Sequence, residues 1–333
     1  MDEVSNKEMK ILVVGGAGYI GSHMVKMLHH AGHDVVTLDN LSNGYRDSVL
    51  YGEFFEGDIA DRPFLDELFS KHQFDGVMHF ASFIQVGESV EKPAMYYVNN
   101  VSNTLTLLSA MVEAGIKSFI FSSTAAIFGE PEYVPIDEKH SKLPINPYGQ
   151  SKLMIEQMLS DFDRAYGLKS VCLRYFNAAG ADADGELGER HVPETHLVPL
   201  VLQAASGRRD NISIFGTDYD TPDGTCIRDY IHIEDLCSAH LLALESLVNG
   251  GDSRVYNMGN GQGYSIRDVI DTVKKVTGTN FKVVEAPRRD GDPARLVADS
   301  KQLQADLGWK PKYPDLDTII KHAWEWEQKH SWS

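Results

Sequence analysis

Residues 11–21 read ILVVGGAGYIG, and this stretch decides the fold of the chain. Four apolar residues end abruptly at Gly15, and residues 19–30 beyond the turn read as a helix. A short buried strand, a glycine-rich turn and a helix, in that order, are typical of the first βαβ unit of a doubly wound parallel sheet. Gly15 permits the tight turn, Gly18 lets a ligand approach the backbone, and Gly21 lets the helix pack closely against the strand.

The N-terminus of this helix is suited to hold an anion, because its first N–H groups have no partner inside the helix and lie at the positive end of the helix dipole. An ordinary strand-to-helix turn would share the glycines but not the context that follows. A second apolar run, residues 35–38, ends at Asp39, about 20 residues after the turn. A carboxylate there accepts both ribose hydroxyls of an adenosine and repels a 2′-phosphate. The pattern predicts a bound dinucleotide, NAD in preference to NADP.

The bulk composition bounds the size of the fold and excludes some classes of partner. The chain has 333 residues, more than one compact core usually holds, so two lobes are expected. A formal net charge of −17 argues against nucleic acid and against anionic membrane surfaces as partners. No stretch is apolar enough to span a membrane. A small anionic ligand is still compatible, because a helix end and a few arginines can hold one.

The cysteines and the first residues bear on the compartment. Cys172, Cys226 and Cys237 are odd in number and show no metal-ligand spacing, so we expect buried thiols in a reducing compartment and no metal site. Residues 1–8 are polar and lack the apolar segment of a signal peptide. We therefore expect a loose N-terminal tail and a cytoplasmic protein.

Strands and helices alternate along the first half of the chain. The pattern predicts further strands at residues 53–56, 76–80, 118–123 and 170–174, and helices at residues 62–71, 93–114 and 148–166. Because the strands run to glycine- or hydroxyl-rich ends, they predict an α/β fold with a doubly wound parallel (Rossmann) sheet. Ligands then collect at the carboxyl ends of the strands.

The character of the chain changes from about residue 178. Residues 181–193 are rich in Asp, Glu and Gly and predict a long loop, a candidate lid. Helices are predicted at residues 195–206, 234–248, 265–276 and 316–328, and strands at 212–215 and 255–258, with Ser265 and Asp268 as a capping box. We expect a smaller, interleaved α/β substrate lobe at 178–229 and 263–330. The NAD-binding domain would comprise 9–177 with segments near 230–262.

Tyr148 and Lys152 lie one helical turn apart, so their side chains share a face. Such a pair also arises by chance on a protein surface. It indicates a catalytic site here because it follows a strand that ends in Ser122, Ser123 and Thr124. A nearby cation and the positive nicotinamide of NAD⁺ favour the phenolate, which lowers the phenol pKa. Tyr148 can then take a proton from a substrate hydroxyl as a hydride leaves the same carbon. The Thr124 hydroxyl can bond that oxygen, and Lys152 can position the nicotinamide ribose.

Two further motifs, YFN at 175–177 and DGTCIRDYIHIED at 223–235, complete a pattern. With the glycine turn and the Thr–Tyr–Lys set, the chain resembles the extended short-chain dehydrogenase/reductase family from about residue 9 to 330. Within that family it is similar to members that epimerise C4 of UDP-hexoses. The resemblance implies tightly held NAD, oxidation to a 4-keto sugar that turns over in the site, and return of hydride to the other face. It also implies a homodimer, formed through the helices at 93–114 and 148–166.

The resemblance assigns site residues one by one. It implies NAD contacts at Gly15, Gly18, Tyr19, Ile20, Gly21, Asp39, Asn40, Asp58, Ile59, Phe80, Ala81, Asn99, Ser122, Tyr148, Lys152 and Phe176. It implies UDP-sugar contacts at Thr124, Tyr148, Asn177, Leu197, Ile214, Phe215, Arg228, Arg289, Asp292 and Leu296. On local sequence alone, Asp58 could equally be a helix cap, and Asn99 a solvated residue in mid-helix. The two arginines suit a pyrophosphate, although surface ion pairs would also explain them.

Four positions depart from the family pattern. Thr124 replaces a frequent Ser and keeps the hydroxyl, whereas Ile84 removes a lysine contact to the nicotinamide ribose. His196 stands where Asn is frequent near the substrate, so the contact there is open. Leu296 is intermediate between the small residue of members that admit N-acetylated sugars and the Tyr of members that exclude them. We therefore expect UDP-glucose, UDP-galactose and their N-acetylated counterparts as substrates.

Two other functions compete with epimerisation. A nucleotide-sugar 4,6-dehydratase needs an Asp–Glu pair after the Thr, and this chain has Ala125 and Ala126 there. A decarboxylase or a uronate epimerase would need extra basic groups for a sugar carboxylate, and none is unambiguous. A non-catalytic NAD-sensing protein would typically lose the Tyr or the Lys, and both are present. The complete acid–base set favours an enzyme.

Overall fold

The structure is a computed structural model that describes residues 8–289 and 292–329. The tail expected at residues 1–8 lies outside this description except for Glu8. In chain order the elements are β1 (Lys10–Val14), α1 (Tyr19–His30), β2 (Asp34–Asp39), β3 (Glu53–Glu56), α2 (Arg62–Lys71), β4 (Gly76–His79), α3 (Val86–Glu91), α4 (Pro93–Tyr96), α5 (Asn103–Glu113), β5 (Ser118–Thr124), α6 (Pro147–Tyr166), β6 (Lys169–Tyr175), β7 (Asn177–Ala179), α7 (Leu197–Ala205), β8 (Asn211–Phe215), β9 (Ile227–His232), α8 (Ile233–Val248), β10 (Arg254–Met258), β11 (Gly263–Ser265), α9 (Ile266–Thr277), β12 (Lys282–Ala286), β13 (Arg295–Leu296), α10 (Lys301–Leu307) and α11 (Leu316–Lys329).

The large sheet has seven parallel strands in the order β3–β2–β1–β4–β5–β6–β10. The order runs outward in both directions from β1 and β4, which is the doubly wound arrangement predicted from the sequence. Every strand points the same way, so all their carboxyl ends meet at one edge. The glycine turn after β1 and the hydroxyl-bearing end of β5 therefore lie on the same side of the domain.

Helices cover both faces of this sheet. On one face, α1 and α8 bury an apolar layer against the central strands, with Met24, Leu28, Leu236 and Leu244 fully buried. On the other face, α2, α5 and α6 bury a second layer that contains Leu65, Leu107 and Ile155. Strands buried on both faces are often near-continuous apolar runs, which is why β1 was readable from the sequence.

A second core lies among α7, α9 and α11, which pack together beside the parallel pair β8–β12. A small sheet joins this lobe to the large one: β9 pairs with β11 and β13 at its start and with β7 at its end. Helix α9 begins with the predicted capping box, in which Ser265 and Asp268 bond each other's backbone N–H.

The sequence prediction was wrong in detail for the helix at residues 93–114. The structure divides it into α4, a π-helical segment over Tyr97–Ser102, and α5, which ends at Glu113. A π-helical turn inserts an extra residue into the helical ladder and is frequent at functional sites. Its effect here is to aim Asn100, which is fully buried, at the loop after β4.

Several elements were missed because they are short or form only through distant pairing. Helices α3 and α10 have 6 and 7 residues, too few for a periodic apolar pattern. Strands β7, β9, β11, β12 and β13 depend on partners that are far away in sequence. Leu303 and Trp309, within the segment expected in the second lobe, are buried in the core of the large sheet.

The predicted loop at residues 181–193 has no helix or strand. It is anchored to α1 by Lys26, whose ammonium lies 2.7 Å from Asp182, 3.1 Å from Asp184 and 2.7 Å from Glu186. Among the described residues, no helix combines the length and apolar character that a bilayer span requires. The three cysteines are unpaired and buried, as the sequence predicted.

Candidate active site

The glycine turn has the geometry that the three glycines predict. Gly15 has a φ of +80°, and a Cβ there would lie 2.5 Å from the backbone nitrogen of Ala81. A Cβ on Gly21 would lie 2.1 Å from the Gly15 carbonyl oxygen, so only glycine lets α1 approach β1 this closely. Gly18, the N-cap of α1, has no side-chain cap, and the nearest described atom to its Cβ position is 3.5 Å away. The turn therefore leaves room for a ligand at the helix N-terminus.

Asp39 ends β2 beside this turn. Its two carboxylate oxygens accept hydrogen bonds from the backbone N–H groups of Ala17, at 2.9 Å, and Leu41, at 2.8 Å. Burial raises the pKa of Asp39 above its ordinary value, and these two bonds oppose the shift. Each oxygen keeps lone pairs for a further donor, as binding of ribose hydroxyls would require.

Asp58 and Asn40 are brought together by a bond of 2.8 Å from the Asn40 amide to the Asp58 carboxylate. The helix-cap alternative for Asp58 is wrong: Asp61 is the N-cap of α2 and accepts from the N–H of Phe64. Ile59 is buried in the adjacent core, so its side chain supports the fold.

Tyr148 and Lys152 lie on the first turns of α6, which begins at the carboxyl edge of the large sheet. The Tyr148 phenol is hydrogen-bonded to Thr124, the last residue of β5. The Lys152 ammonium donates to the Ser122 carbonyl at 2.9 Å and to the Ser82 hydroxyl at 2.8 Å. It also lies 6.0 Å from the centroid of the Tyr148 ring. The structure thus unites the predicted catalytic set.

The sequence predicts that Lys152 together with the nicotinamide of NAD⁺ lowers the pKa of Tyr148, and the chain's own residues shift that pKa in the opposite direction. Burial raises the pKa of the Tyr148 phenol, and the bond with Thr124 only partly opposes the shift. Burial also lowers the pKa of Lys152 to about 7, although Glu156 partly compensates. A half-neutral ammonium is a weak partner for a phenolate, so the chain's own residues leave Tyr148 protonated at neutral pH.

Sequence reasoning missed a buried ion pair behind Lys152. Glu156, one turn further along α6, accepts from Arg174 at 2.9 Å and 2.6 Å and from the Ser123 hydroxyl at 2.6 Å. Arg174 is 1% exposed. This network fixes α6 to β5 and β6 directly beneath the Tyr148–Lys152 face. The i, i+4 spacing of Lys152 and Glu156 was a signal that could have indicated it.

The loop after β4 lies between the glycine turn and Lys152, since Ala81 contacts Gly15 and Ser82 is bonded to Lys152. Asn100 bonds the backbone N–H of Phe83 at 2.9 Å and its carbonyl at 3.1 Å, and it also donates to Ser151. Asn99, which the family resemblance assigned to the cofactor, is half-buried and donates to Asn100 at 3.0 Å. The buried neighbour, which the resemblance did not single out, therefore shapes the loop.

Several of the predicted cofactor residues pack against the core of α1 and α8. Phe80 is half-buried, with its ring 5.2 Å from that of His240, and Ile20 packs nearby. Tyr19 donates to the Gly180 carbonyl at 2.7 Å. The Ser122 hydroxyl is hydrogen-bonded to that of Tyr175.

Phe176 and Leu296 lie against one small apolar cluster. Both pack on buried residues that include Ala125, Ile127 and Leu153. Leu296 is also paired with Arg228 across β13 and β9. The structure thereby connects a predicted cofactor residue, the segment after Thr124 and two predicted substrate residues.

The predicted pyrophosphate arginines have different surroundings. Arg228 donates to the carbonyls of Ile227, at 3.0 Å, and Pro293, at 2.7 Å, and lies 3.5 Å from Asp292. Arg289 is exposed and stacks 3.7 Å from the centroid of the Phe215 ring. One guanidinium is held in place by the backbone, whereas the other has freedom to move toward a ligand.

The remaining predicted residues line the junction of the lobes. Asn177 begins β7 and donates to the Asp229 carbonyl at 3.1 Å. Ile214 is buried in the second core, so only its backbone can face a ligand. Leu197 begins α7, and His196, its N-cap, is hydrogen-bonded to Glu189.

Comparison with known proteins agrees with this geometry. A model of the NAD dependent epimerase/dehydratase family matches residues 11–259. The UDP-glucose 4-epimerase of Halalkalibacterium halodurans is 52% identical over 97% of this chain and 96% of its own length. The crystal structure of UDP-glucose 4-epimerase from Brucella ovis in complex with NAD is 50% identical, has a TM-score of 0.93, and is matched over 95% of this chain and 97% of that one.

A further solved relative has a broader printed activity. The UDP-Glc/GlcNAc 4-epimerase of Campylobacter jejuni is 45% identical to this chain, with a TM-score of 0.85 over 97% of this chain and 100% of that one. These three matches each cover 95% to 97% of this chain. The chain therefore belongs to the NAD dependent epimerase/dehydratase family.

Proposed function

We propose that this protein is an enzyme that epimerises C4 of a UDP-hexose with NAD as its cofactor. The observation that carries the proposal is the placement of Tyr148, Thr124 and Lys152 at the sheet edge that also holds the glycine turn. Relatives about 50% identical over nearly the whole chain support the same activity. Bound NAD supplies the acceptor that oxidises C4 and the donor that reduces it again.

The residues around the turn fit NAD. The first turn of α1 holds no acidic side chain and no side-chain cap, so its N–H groups are available to a pyrophosphate. The Asp39 carboxylate, held by two N–H groups, is placed for ribose hydroxyls and against a 2′-phosphate. Asp58 and Asn40 form the adjacent polar pair.

Tyr148 acts as the base that takes the proton from the C4 hydroxyl and returns it after reduction. The Thr124 hydroxyl bonds the phenol and can share the charge on the substrate oxygen. Because burial raises the pKa of Tyr148, the proton leaves the phenol only when positive charge is placed near it. This requirement couples the base to occupation of the cofactor site.

On the substrate side, we infer that Arg228 and Arg289 bind the UDP pyrophosphate. Phe215, which stacks with Arg289, and Asn177, which donates to the Asp229 carbonyl next to Arg228, support a shared ligand. Arg228 is oriented by two carbonyls, whereas Arg289 stacks on the Phe215 ring. A planar guanidinium matches phosphate oxygens in a bidentate way. Asp292, bonded to Arg228, is the group that a phosphate would displace.

We further propose that the sugar site admits N-acetylated UDP-hexoses. Leu296 packs with Phe176 on the cluster that includes Ala125, the residue after Thr124, and this packing supports a role beside the reacting end of the site. A leucine there leaves more room than a tyrosine would. The solved relative that is a UDP-Glc/GlcNAc 4-epimerase supports this wider range.

The protein is also proposed to be a homodimer. Val98, in the π segment, and Leu105, in α5, are 57% and 44% exposed. Exposed apolar side chains that lie close together mark contact surfaces. We retain the division into an NAD-binding domain and an interleaved substrate lobe, and a cytoplasmic location, as proposals from the sequence.

Replacing Tyr148 by Phe is expected to lower kcat by at least about 100-fold, because it removes the acid–base group and keeps the ring. NMR detection of UDP-glucose and UDP-galactose measures the interconversion, and absorbance after denaturation measures bound NAD, which should be retained. Tyr166→Phe, on the exposed end of the same helix, is the control and should keep full activity. A fully active Tyr148→Phe enzyme would overturn the mechanism.

Lys152 should make stability depend on pH. In the unfolded chain Lys152 is protonated up to its ordinary pKa, whereas the folded protein binds that proton only below about pH 7. Between pH 7 and 10 the unfolded state holds more protons, so the free energy of unfolding rises with pH. Relative to Lys152→Met, wild type should gain up to about 1.4 kcal/mol per pH unit in urea titrations. The exposed Lys71→Met control should show no such gain, and a flat difference for Lys152→Met would refute the shift.

The wild-type enzyme should convert UDP-N-acetylglucosamine at a rate measurable beside that of UDP-glucose. Leu296→Tyr should lower the ratio of these two rates by roughly tenfold or more, because the larger ring fills the space of the acetamido group. NMR assays of both substrates with no added NAD measure the ratio. Negligible wild-type turnover of the N-acetylated sugar would contradict this proposal.

Leu105→Glu should convert the dimer to a monomer, because a charge would be buried at the contact between subunits. Light scattering after size-exclusion chromatography measures the mass. Leu50→Glu, at a comparably exposed leucine in a loop elsewhere, is the matched control and should stay dimeric. A monomeric wild-type protein, or a dimeric Leu105→Glu variant, counts against this surface.

A further inference from the structure

A cluster of two glutamates and two histidines lies outside the catalytic set, in the run ERHVPETH at residues 189–196. One oxygen or nitrogen from each of Glu189, His191, Glu194 and His196 lies within 4.8 Å of all the others. Nδ1 of His191 is 3.2 Å from Glu189 Oε1, and Nδ1 of His196 is bonded to the same oxygen. Four donor atoms of the types that bind metals therefore converge on one point.

The two carboxylates of this cluster are buried, and their described partners include no lysine or arginine. The side chains of Glu189 and Glu194 are each 5% exposed. In residues 8–289 and 292–329, no Lys or Arg nitrogen lies within 4.0 Å of either carboxylate, and Arg190 between them is paired with Asp47. Buried charges without compensation are strongly unfavourable. The site therefore needs about two positive charges, which two imidazole protons or one divalent cation can supply.

The neighbouring acidic cluster in the same loop shows how such a site is filled when the fold provides its own cation. Asp182, Asp184 and Glu186 surround the ammonium of Lys26, at distances of 2.7 to 3.1 Å. That cluster already holds an ammonium at its centre, and two of its three carboxylates, Asp184 and Glu186, are exposed to solvent, so it carries no metal proposal. The Glu189 cluster differs because, among the residues that the structure describes, the bases in contact with it are imidazoles, which bind metals when they are neutral.

We propose that Glu189, His191, Glu194 and His196 bind one divalent transition-metal ion, with Zn²⁺ as the best match. Two imidazole nitrogens and two carboxylate oxygens are a frequent donor set for zinc, which takes four ligands at about 2.0 to 2.2 Å. Closure around the ion requires only small side-chain movements from the observed spacing. The cysteine spacing had predicted no metal, and this inference replaces that expectation with a site built from other ligands.

The site lies where the loop meets both lobes. The His191 ring packs edge-on against Tyr19, the first residue of α1, with ring centroids 6.3 Å apart. The Glu189 carbonyl accepts from the Trp326 indole of α11 at 3.2 Å, and His196 is the N-cap of α7. A bound ion would fix the loop between the glycine-turn helix and the second core, a structural role beyond the proposed epimerase activity.

The competing arrangement is an ion-pair network that holds protons in place of the metal. Burial alone would lower the pKa of His191, but its bonds to Glu189 and Glu194 raise it to about 10. Burial likewise opposes the charge on Glu189, and the two histidines bring its pKa below the ordinary value. A metal must displace these protons, so its binding should weaken as the pH falls.

The test uses the tag-free holoenzyme, treated with EDTA, desalted, and then titrated with ZnCl₂ or CoCl₂ at pH 8. Elemental analysis should find one ion per chain, and Co²⁺ should give the intense visible absorption of a four-coordinate site. Zn²⁺ should raise the melting temperature by several degrees, as for any ligand that binds only the folded state. Activity is recorded separately, so loss of the metal site and loss of epimerase function are distinguishable.

Two variants locate the site. Glu194→Gln and His191→Gln should each weaken metal binding at least tenfold, with retained NAD content showing that the variants fold. Asp184→Asn, in the cluster filled by Lys26, and His30→Asn, at an exposed histidine, should bind as wild type does. If the wild-type protein retains no Zn²⁺ or Co²⁺, the cluster is an ion-pair network that binds no metal. Equal binding by wild type and both variants would place any metal elsewhere, and either result overturns the proposal.

Discussion

The geometry of the candidate active site depends on two hydrogen bonds from the buried ammonium of Lys152. The ammonium is bonded to the Ser122 carbonyl at the end of β5 and to Ser82 in the loop after β4, so it connects α6 to two strand ends at once. That tie sets where the Tyr148 phenol lies relative to Thr124 and the glycine turn. Because the parallel sheet gathers its carboxyl ends at one edge, a single helix docked there completes the constellation.

Burial sets the protonation states of Lys152 and Tyr148, because it disfavours their charged forms. Lys152 and Tyr148 are both shifted toward their neutral forms, and the Glu156–Arg174 pair behind them is the main fixed charge nearby. The protein alone thus keeps the base protonated. A positive cofactor ring is the natural complement to such a site, and the family to which the chain belongs uses one.

Charge compensation recurs in the loop that joins the lobes. Lys26 forms ion pairs with one cluster of acids there, and the histidines at 191 and 196 face the other. Both clusters lie between α1 and the second lobe, so the loop is held by electrostatics in place of regular secondary structure. A segment that looked like a free lid in the sequence is anchored at several points along its length.

The sequence by itself determined the parallel sheet, the glycine turn and the Tyr148–Lys152 pair, because these rest on local spacing: apolar runs, glycines without a Cβ, and one helical turn. Only the tertiary structure decided that Asp61 caps α2 in place of Asp58, that Asn100 supports the loop after β4, and that Tyr148 has a raised pKa. Such properties depend on burial and on partners far apart in the chain. The spacing of residues along a sequence does not show which charged groups are buried together. Tertiary packing decides that.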